Sequence, residues 1–187
     1  MSDSPSPRGF AIVRYADLAA AAHVHAALDA IFFEASSTKA FVTPAERSAF
    51  RERWLGRYLR LDPGLAFLAL APADRVAGYL VGCCDDPART PRFDDVGYFQ
   101  LLADLTVAYP AHLHVNLAPE FRGSGLGGRL VETFVASVRD RGAPGAHVVT
   151  SHSARNAGFY ERHGFRRLRV FPWNGRDLVM LGRALSG

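Results

Sequence analysis

Hydrophobic and polar positions change rhythm most sharply between residues 109 and 138. His112, His114 and Asn116 alternate with Leu113, Val115 and Leu117, a period of two that predicts a half-buried strand. Pro119 ends it, because proline supplies no N–H to a ladder. Arg122, Gly123, Ser124, Gly125, Leu126, Gly127 and Gly128 follow. From there Leu126, Leu130, Val131, Phe134, Val135 and Val138 recur on one face at helical period. The stretch reads as a strand, a short loop and a glycine-rich turn opening a helix.

The same reading extends over the whole chain. Residues 10–15 alternate and predict a first strand. Asp17 is a plausible N-cap for a helix to about Phe33, burying Leu18, Ala21, Ala22, His25, Leu28, Ile31 and Phe32. After a polar break at 33–42, Thr43, Pro44 and Glu46 spell a helix start: N-cap, proline at N1 and a capping box. Phe50, Trp54, Leu55, Tyr58 and Leu61 would line its buried face. Residues 65–71 and 76–84 predict two strands joined by a tight connection at 72–75. Residues 85–95, with two prolines and four aspartates, read as loop, and 98–107 as a short helix. Gly142 to Gly145 stops the central helix, and 146–150 is the next strand. Ser151 or Ser153 would cap a short helix ending near His163. Gly164 turns the chain into a strand at 165–171, residues 172–175 form a turn, and 177–185 is the last strand. This order predicts one α/β domain over residues 9–187, built on a mixed sheet. Residues 1–8 read as a disordered tail.

Composition supports a single soluble globule: 187 residues, 49% hydrophobic and 21% charged, are enough for one sizeable core. The net charge of +4 is mild, and seven of the basic residues lie between Arg155 and Arg183. Such a surface favours phosphorylated ligands. Without a nucleic-acid motif or aromatic interleaving, it does not predict nucleic-acid binding. Cys83 and Cys84 are adjacent, so on a strand they point apart and are poorly placed to bond each other. They are expected to be reduced, in a cytoplasmic protein. No run of about 18 apolar residues predicts a membrane span, and no apolar segment follows the polar start as a leader would require.

Four glycines among residues 123–128 let successive backbone N–H groups face one concavity in front of a helix N-terminus, an anion site most often used for phosphate. Gly123, Gly125 and Gly128 formally spell the dinucleotide pattern G-x-G-x-x-G. However, residues 118–122 separate them from the strand, and no acidic residue lies between Arg141 and Arg155 to take a ribose. Gly123 and Gly128 also fit a nucleotide P-loop, but Arg129 and Leu130 stand where lysine and a hydroxyl belong. Arg122-x-x-Gly125-x-Gly127 after a strand resembles the pyrophosphate loop of the GNAT superfamily of acyl-CoA N-acyltransferases. Downstream, Tyr160-x-x-x-Gly164-Phe165 resembles the second signature of that superfamily. The resemblance is good from about Ala108 to Arg183 and holds in outline before it. Residues 109–117 also resemble bacterial relatives of the acetyltransferase-like domain attached to O-GlcNAc hydrolases.

The resemblance implies a single-domain GNAT fold, with a mixed, mostly antiparallel sheet of about seven strands and about four helices. It implies acetyl-CoA as co-substrate and transfer of the acetyl group to a primary amine by direct attack. The alternative is a catalytically silent acetyl-CoA-binding module. By carry-over, Arg122, Gly123, Ser124, Gly125, Leu126, Gly127 and Gly128 hold the pyrophosphate, with Arg129 as a further source of charge. Val115, Asn116 and Leu117 lie beside the pantetheine arm, and Ser153 or Asn156 contacts it. Tyr160 matches the tyrosine that can protonate the leaving sulfur. His114 and Asp104 are the candidate bases, with His112 and Glu34 behind them. Glu34 and residues 36–39 are candidates for acceptor contacts. Two histidines at i and i+2 lack an evident third ligand, so no metal site is expected. The expected acceptor is a small molecule or peptide amine. No nucleic-acid or membrane partner is expected, and the chain would be a monomer or homodimer.

Overall fold

The computed structural model describes residues 9–18, 22–152 and 156–185. The predicted tail at 1–8 lies outside them. Seven strands form one sheet in the order β1-β2-β3-β4-β5-β7-β6. They are β1 (Ala11–Arg14), β2 (Phe67–Ala71), β3 (Arg75–Cys83), β4 (Ala111–Leu117), β5 (Gly145–Ser151), β6 (Arg166–Trp173) and β7 (Arg176–Ala184). The α-helical segments are α1 (Ala22–Ala35), α2 (Pro44–Arg51), α3 (Arg57–Leu61), α4 (Ala103–Thr106), α5 (Leu126–Asp140) and α6 (Asn156–Arg162). A π-helical turn, Glu52–Gly56, joins α2 to α3, so these read as one continuous helix and the described residues hold five. β4 and β5 run parallel; β1–β2, β2–β3, β5–β7 and β6–β7 are antiparallel. The sheet is mixed and mostly antiparallel, as predicted.

By compactness the chain divides into two units, Met1–Val81 with His114–Phe134, and Gly82–Leu113 with Val135–Gly187. In the first unit, Thr43 caps α2 as predicted. Its Oγ1 accepts from the Glu46 N–H at 3.1 Å, and the Glu46 carboxylate accepts from the Val42 N–H at 2.9 Å. The buried face of the helix departs from the prediction. Leu55 and Tyr58 are buried, but Leu59 is inside as well and Leu61 is 44% exposed. The π turn holds one residue more than an α turn and advances the buried face by one position beyond it. On α1 the interior residues are Val24, Leu28, Ile31 and Phe32; Ala22 is exposed and His25 only half-buried. Asp17 ends a 3₁₀ turn, Tyr15–Asp17. The helix start predicted there falls against residues 19–21, outside the described set.

The apolar face of α5 is buried as the sequence predicts: Leu126, Leu130, Val131, Phe134, Val135 and Val138 are all out of water. At roughly 1.5–3 kcal/mol per side chain, this face is enough to hold the helix in place. The helix closes on a Schellman motif, in which Ala143 N–H bonds Val138 O at 3.0 Å and Gly142 N–H bonds Arg139 O at 2.8 Å.

In the second unit, β6 and β7 form a hairpin through Asn174–Gly175, with Trp173 opposite Arg176. The predicted turn at 172–175 therefore shortens, and Pro172 and Trp173 join β6. β6 is an edge strand. Its arginines and the irregularity between Arg167 and Arg169 discourage pairing with another chain. His112 and His147 lie side by side on β4 and β5, with ring centroids 5.6 Å apart and the Phe93 and Phe99 rings around them. The predicted alternation of β4 fails here, because His112 is buried as fully as Leu113.

His147 Nδ1 bonds the Tyr109 carbonyl, and burial pulls the ring's pKa down to about 4 from 6.5. Unfolding returns the group to its ordinary value. Its contribution is therefore complete above pH 6.5 and is lost as pH falls toward 4, on the order of 3 kcal/mol in all. Urea denaturation between pH 7 and pH 4 is expected to show stability falling with acid in the wild type and a flatter profile in His147→Gln.

Candidate functional site

The glycine turn joins the end of β4 to α5 within the first unit. Pro119–Phe121 makes a 3₁₀ turn after the strand. The chain then passes through Gly123 at φ +77° and Gly125 at φ +82°. This left-handed backbone is costly for any residue with a Cβ. No atom lies within 4 Å of where a Cβ would stand at either glycine, so the requirement is conformational. The turn leads directly into the first turn of α5, whose N–H groups have no partners inside the helix. Ser124 spends its hydroxyl on the Phe121 carbonyl. Arg122 donates to the Leu117 carbonyl at 3.3 Å and pairs with Glu34 from the end of α1. At about half exposure such a pair contributes about 0–1 kcal/mol, so it is easily exchanged for another anion. Arg129, one turn into α5, has a buried Nη1 with no hydrogen-bond partner among the described residues.

The strand before the turn carries the candidate chemistry. Val115, Asn116 and Leu117 are half-buried. Close approach of β3 explains part of this: a Cβ on Gly78 would stand 2.7 Å from the Asn116 carbonyl oxygen and 2.2 Å from a Leu117 methyl. Asn116 Nδ2 donates to the Tyr79 hydroxyl at 2.9 Å. Tyr79 is fully buried, and that burial holds its hydroxyl well above its ordinary pKa. His114 shares the Asn116 face of the strand. Its Nε2 lies 3.3 Å from the Tyr58 hydroxyl, and the Trp54 and Tyr58 rings stand edge-on to the imidazole with centroids 5.4 Å away.

Tyr160 and Asp104 belong to the second unit. Tyr160 is buried on α6, and desolvation raises its pKa, so the hydroxyl stays protonated. The Y-x-x-x-G-F spacing is itself a helix stop. Gly164 N–H bonds Glu161 O at 3.1 Å, Phe165 N–H bonds Tyr160 O at 3.1 Å, and Gly164 sits at φ +78°. Tyr160 and Phe165 supply the hydrophobic contact that accompanies such a stop, with centroids 5.7 Å apart. Asp104 is exposed and accepts two bonds from Arg169, at 2.8 and 2.6 Å. The arginine's hydrogen bonds hold the carboxyl below its ordinary pKa. Asn156 is exposed at the first position of α6, Ser151 belongs to β5, and Ser153 lies outside the described residues. Sequence periodicity placed Tyr58 and Trp54 on a buried face but gave no sign that they meet His114; Tyr79 as the partner of Asn116 was likewise invisible.

Among the described residues no group of three or more His, Cys, Asp or Glu side chains is placed to hold a metal ion. No helix among them is long and apolar enough to cross a membrane.

The model of the Acetyltransferase (GNAT) domain family matches residues 67–167. That is more than half of the chain, and the protein belongs to this acetyltransferase family. Among solved structures, SsHAT is 25% identical with a TM-score of 0.71, over 96% of this chain and 100% of that one. A chain of the NatC complex bound to Gag peptide and CoA is 16% identical with a TM-score of 0.66, over 95% and 99%. The protein yncA from Salmonella typhimurium, solved with its cofactor acetyl-CoA, is 18% identical with a TM-score of 0.62, over 95% of each chain. At these lower identities the likeness is one of fold.

Tyr79 is buried, so its hydroxyl depends on the Asn116 amide. Asn116→Ala is expected to cost about 1–3 kcal/mol. In a Tyr79→Phe background the same change should cost much less, which a double-mutant cycle by urea denaturation measures.

Proposed function

We propose that this protein is an N-acetyltransferase that moves the acetyl group of acetyl-CoA to a primary amine by direct attack, on a small-molecule or peptide acceptor. The observation that carries this reading is the Gly123–Gly125 turn, opening onto the N-terminus of α5, with Arg129 one turn into that helix and its buried Nη1 without a hydrogen-bond partner among the described residues. Backbone N–H groups and a spare cation at a helix N-terminus suit a pyrophosphate. Arg122, exchanging Glu34 for phosphate, would add a second charge. Acetyl-CoA would supply an activated acyl group with a good leaving thiolate.

His114 is the proposed proton acceptor for the amine, since a histidine titrates near working pH. Asp104 is less suited, because Arg169 keeps it ionised and occupies both of its oxygens. Tyr160 is the proposed proton donor to the leaving sulfur. Its hydroxyl stays neutral, and burial lifts it above the ordinary phenol value, further above a thiol near 8.5, so the proton is shared with the thiolate through a hydrogen bond rather than transferred outright. Val115, Asn116 and Leu117 on β4 and Asn156 on α6 are the proposed contacts for the pantetheine arm. The resemblance of residues 109–117 to bacterial relatives of the acetyltransferase-like domain of O-GlcNAc hydrolases enters this reading as a proposal about ancestry.

Calorimetric titration tests the reading, with NAD as the control ligand. Acetyl-CoA is expected to bind and NAD to be inert. Arg129→Ala is expected to weaken acetyl-CoA binding about tenfold or more, the effect of losing a charge-assisted hydrogen bond. Tyr160→Phe should bind acetyl-CoA normally and slow thiol release on amine addition about 10²-fold. Absence of acetyl-CoA binding would overturn the proposal.

A further inference from the structure

The loop between α1 and α2 carries the one lysine of the chain. Of the 22 lysines and arginines, Lys39 alone is lysine. An arginine stays protonated and offers no free amine, so Lys39 holds the single side-chain amine that the protein could acylate. An arginine-rich composition accounts for the rarity of lysine, but not for where this one stands. Lys39 is exposed. Its Nζ donates to the Phe33 carbonyl at 3.2 Å and to the Glu34 carbonyl, both in the last turn of α1, where carbonyls lack helical partners. The loop folds back on the same helix end. Phe41 meets the Phe33 ring edge-on with centroids 5.9 Å apart, and the Arg47 guanidinium lies 3.5 Å from the Phe33 centroid. Glu34 gives its carboxylate to Arg122, at the head of the glycine turn. Arg122 Nε in turn donates to the Leu117 carbonyl at the end of β4. The lysine is thereby linked through Glu34 and Arg122 to the turn proposed for the pyrophosphate, and to the strand end proposed for the pantetheine arm.

We propose that Lys39 is a modification site, acetylated in cis by the protein itself from its own bound acetyl-CoA. The inference rests on the N-acetyltransferase reading and adds an acceptor within the chain. The ammonium first releases one proton to solvent, because only the neutral amine attacks. The Nζ lone pair then forms an N–C bond to the acetyl carbon as the C–S bond breaks. The electron pair of that bond leaves on sulfur, and a second amine proton ends there, giving CoA thiol; nothing is oxidised or reduced. The exchange of Arg122 from Glu34 to phosphate loosens the contact that holds this helix end, at the moment the acyl donor arrives. Acetylation then removes the cation that caps the C-terminus of α1, where a positive charge is favourable. The product is a neutral amide on the segment proposed for acceptor contacts, so the modification would act on acceptor binding.

Full-length protein incubated with isotopically labelled acetyl-CoA and no added amine, then digested and mapped by mass spectrometry, tests this. Label is expected on Lys39, with a rate constant independent of protein concentration. It should appear about tenfold or more faster than in the guanidinium-unfolded chain, since a held amine reacts faster than a free one. Lys39→Arg keeps the cation at the end of α1 and removes the nucleophile, so no side-chain label is expected. A merely capping role for Lys39 predicts acetyl-CoA bound in the calorimeter with Lys39 unlabelled, and that result would overturn the inference alone. Labelling no faster than in the unfolded chain would show uncatalysed acetylation and count equally against it. A rate constant that rises with protein concentration would refute transfer in cis. Failure to bind acetyl-CoA would remove the N-acetyltransferase reading itself, and the inference with it.

Discussion

Helix α5 can leave the N–H groups of its first turn open only because six apolar side chains along it are out of water. Unsatisfied backbone donors and a left-handed glycine turn both cost free energy. The buried stripe Leu126–Leu130–Val131–Phe134–Val135–Val138 offsets those costs and keeps the helix start from fraying. The Schellman stop at Gly142 performs the matching service at the other end. A glycine turn of this kind is a strained opening held in place by ordinary hydrophobic burial. For that reason the glycine motif and the periodic stripe behind it occur together in the sequence.

The second signature has a comparable double origin. Tyr160, Gly164 and Phe165 are spaced as they are because a helix ending in a left-handed residue bonds C″ back to C3 and brings their side chains together. That geometry alone would preserve an aromatic at 160, a glycine at 164 and an apolar residue at 165. It does not ask for a hydroxyl, since phenylalanine would make the same contact. The phenol of Tyr160, kept neutral by burial, is the part of the motif that helix termination leaves unexplained.

Histidines two residues apart on β4 meet opposite surroundings. His112 lies beside His147 between Phe93 and Phe99, an apolar setting. His114 meets a phenol and an indole from a helix with an irregular turn. A carboxylate that sequence reasoning also favoured, Asp104, is taken by Arg169 from 65 positions away. Residue type proposes a chemistry, and the neighbours decide whether the group is left able to perform it.

Periodicity, caps and turn residues by themselves determined the strands, the α5 stripe, the Thr43 start, the Gly142 and Gly164 stops, and the glycine turn with its likeness to an acyl-CoA-binding family. These are local consequences of side-chain spacing and backbone freedom, so they can be read along the chain. Only the tertiary structure decided that, beyond a π turn, Leu59 is inside and Leu61 exposed, that Tyr58 faces His114, that Asn116 is held by Tyr79, and that Asp104 is paired. Each depends on which distant side chain fills the adjacent space, a matter of packing between elements that no spacing within one element encodes.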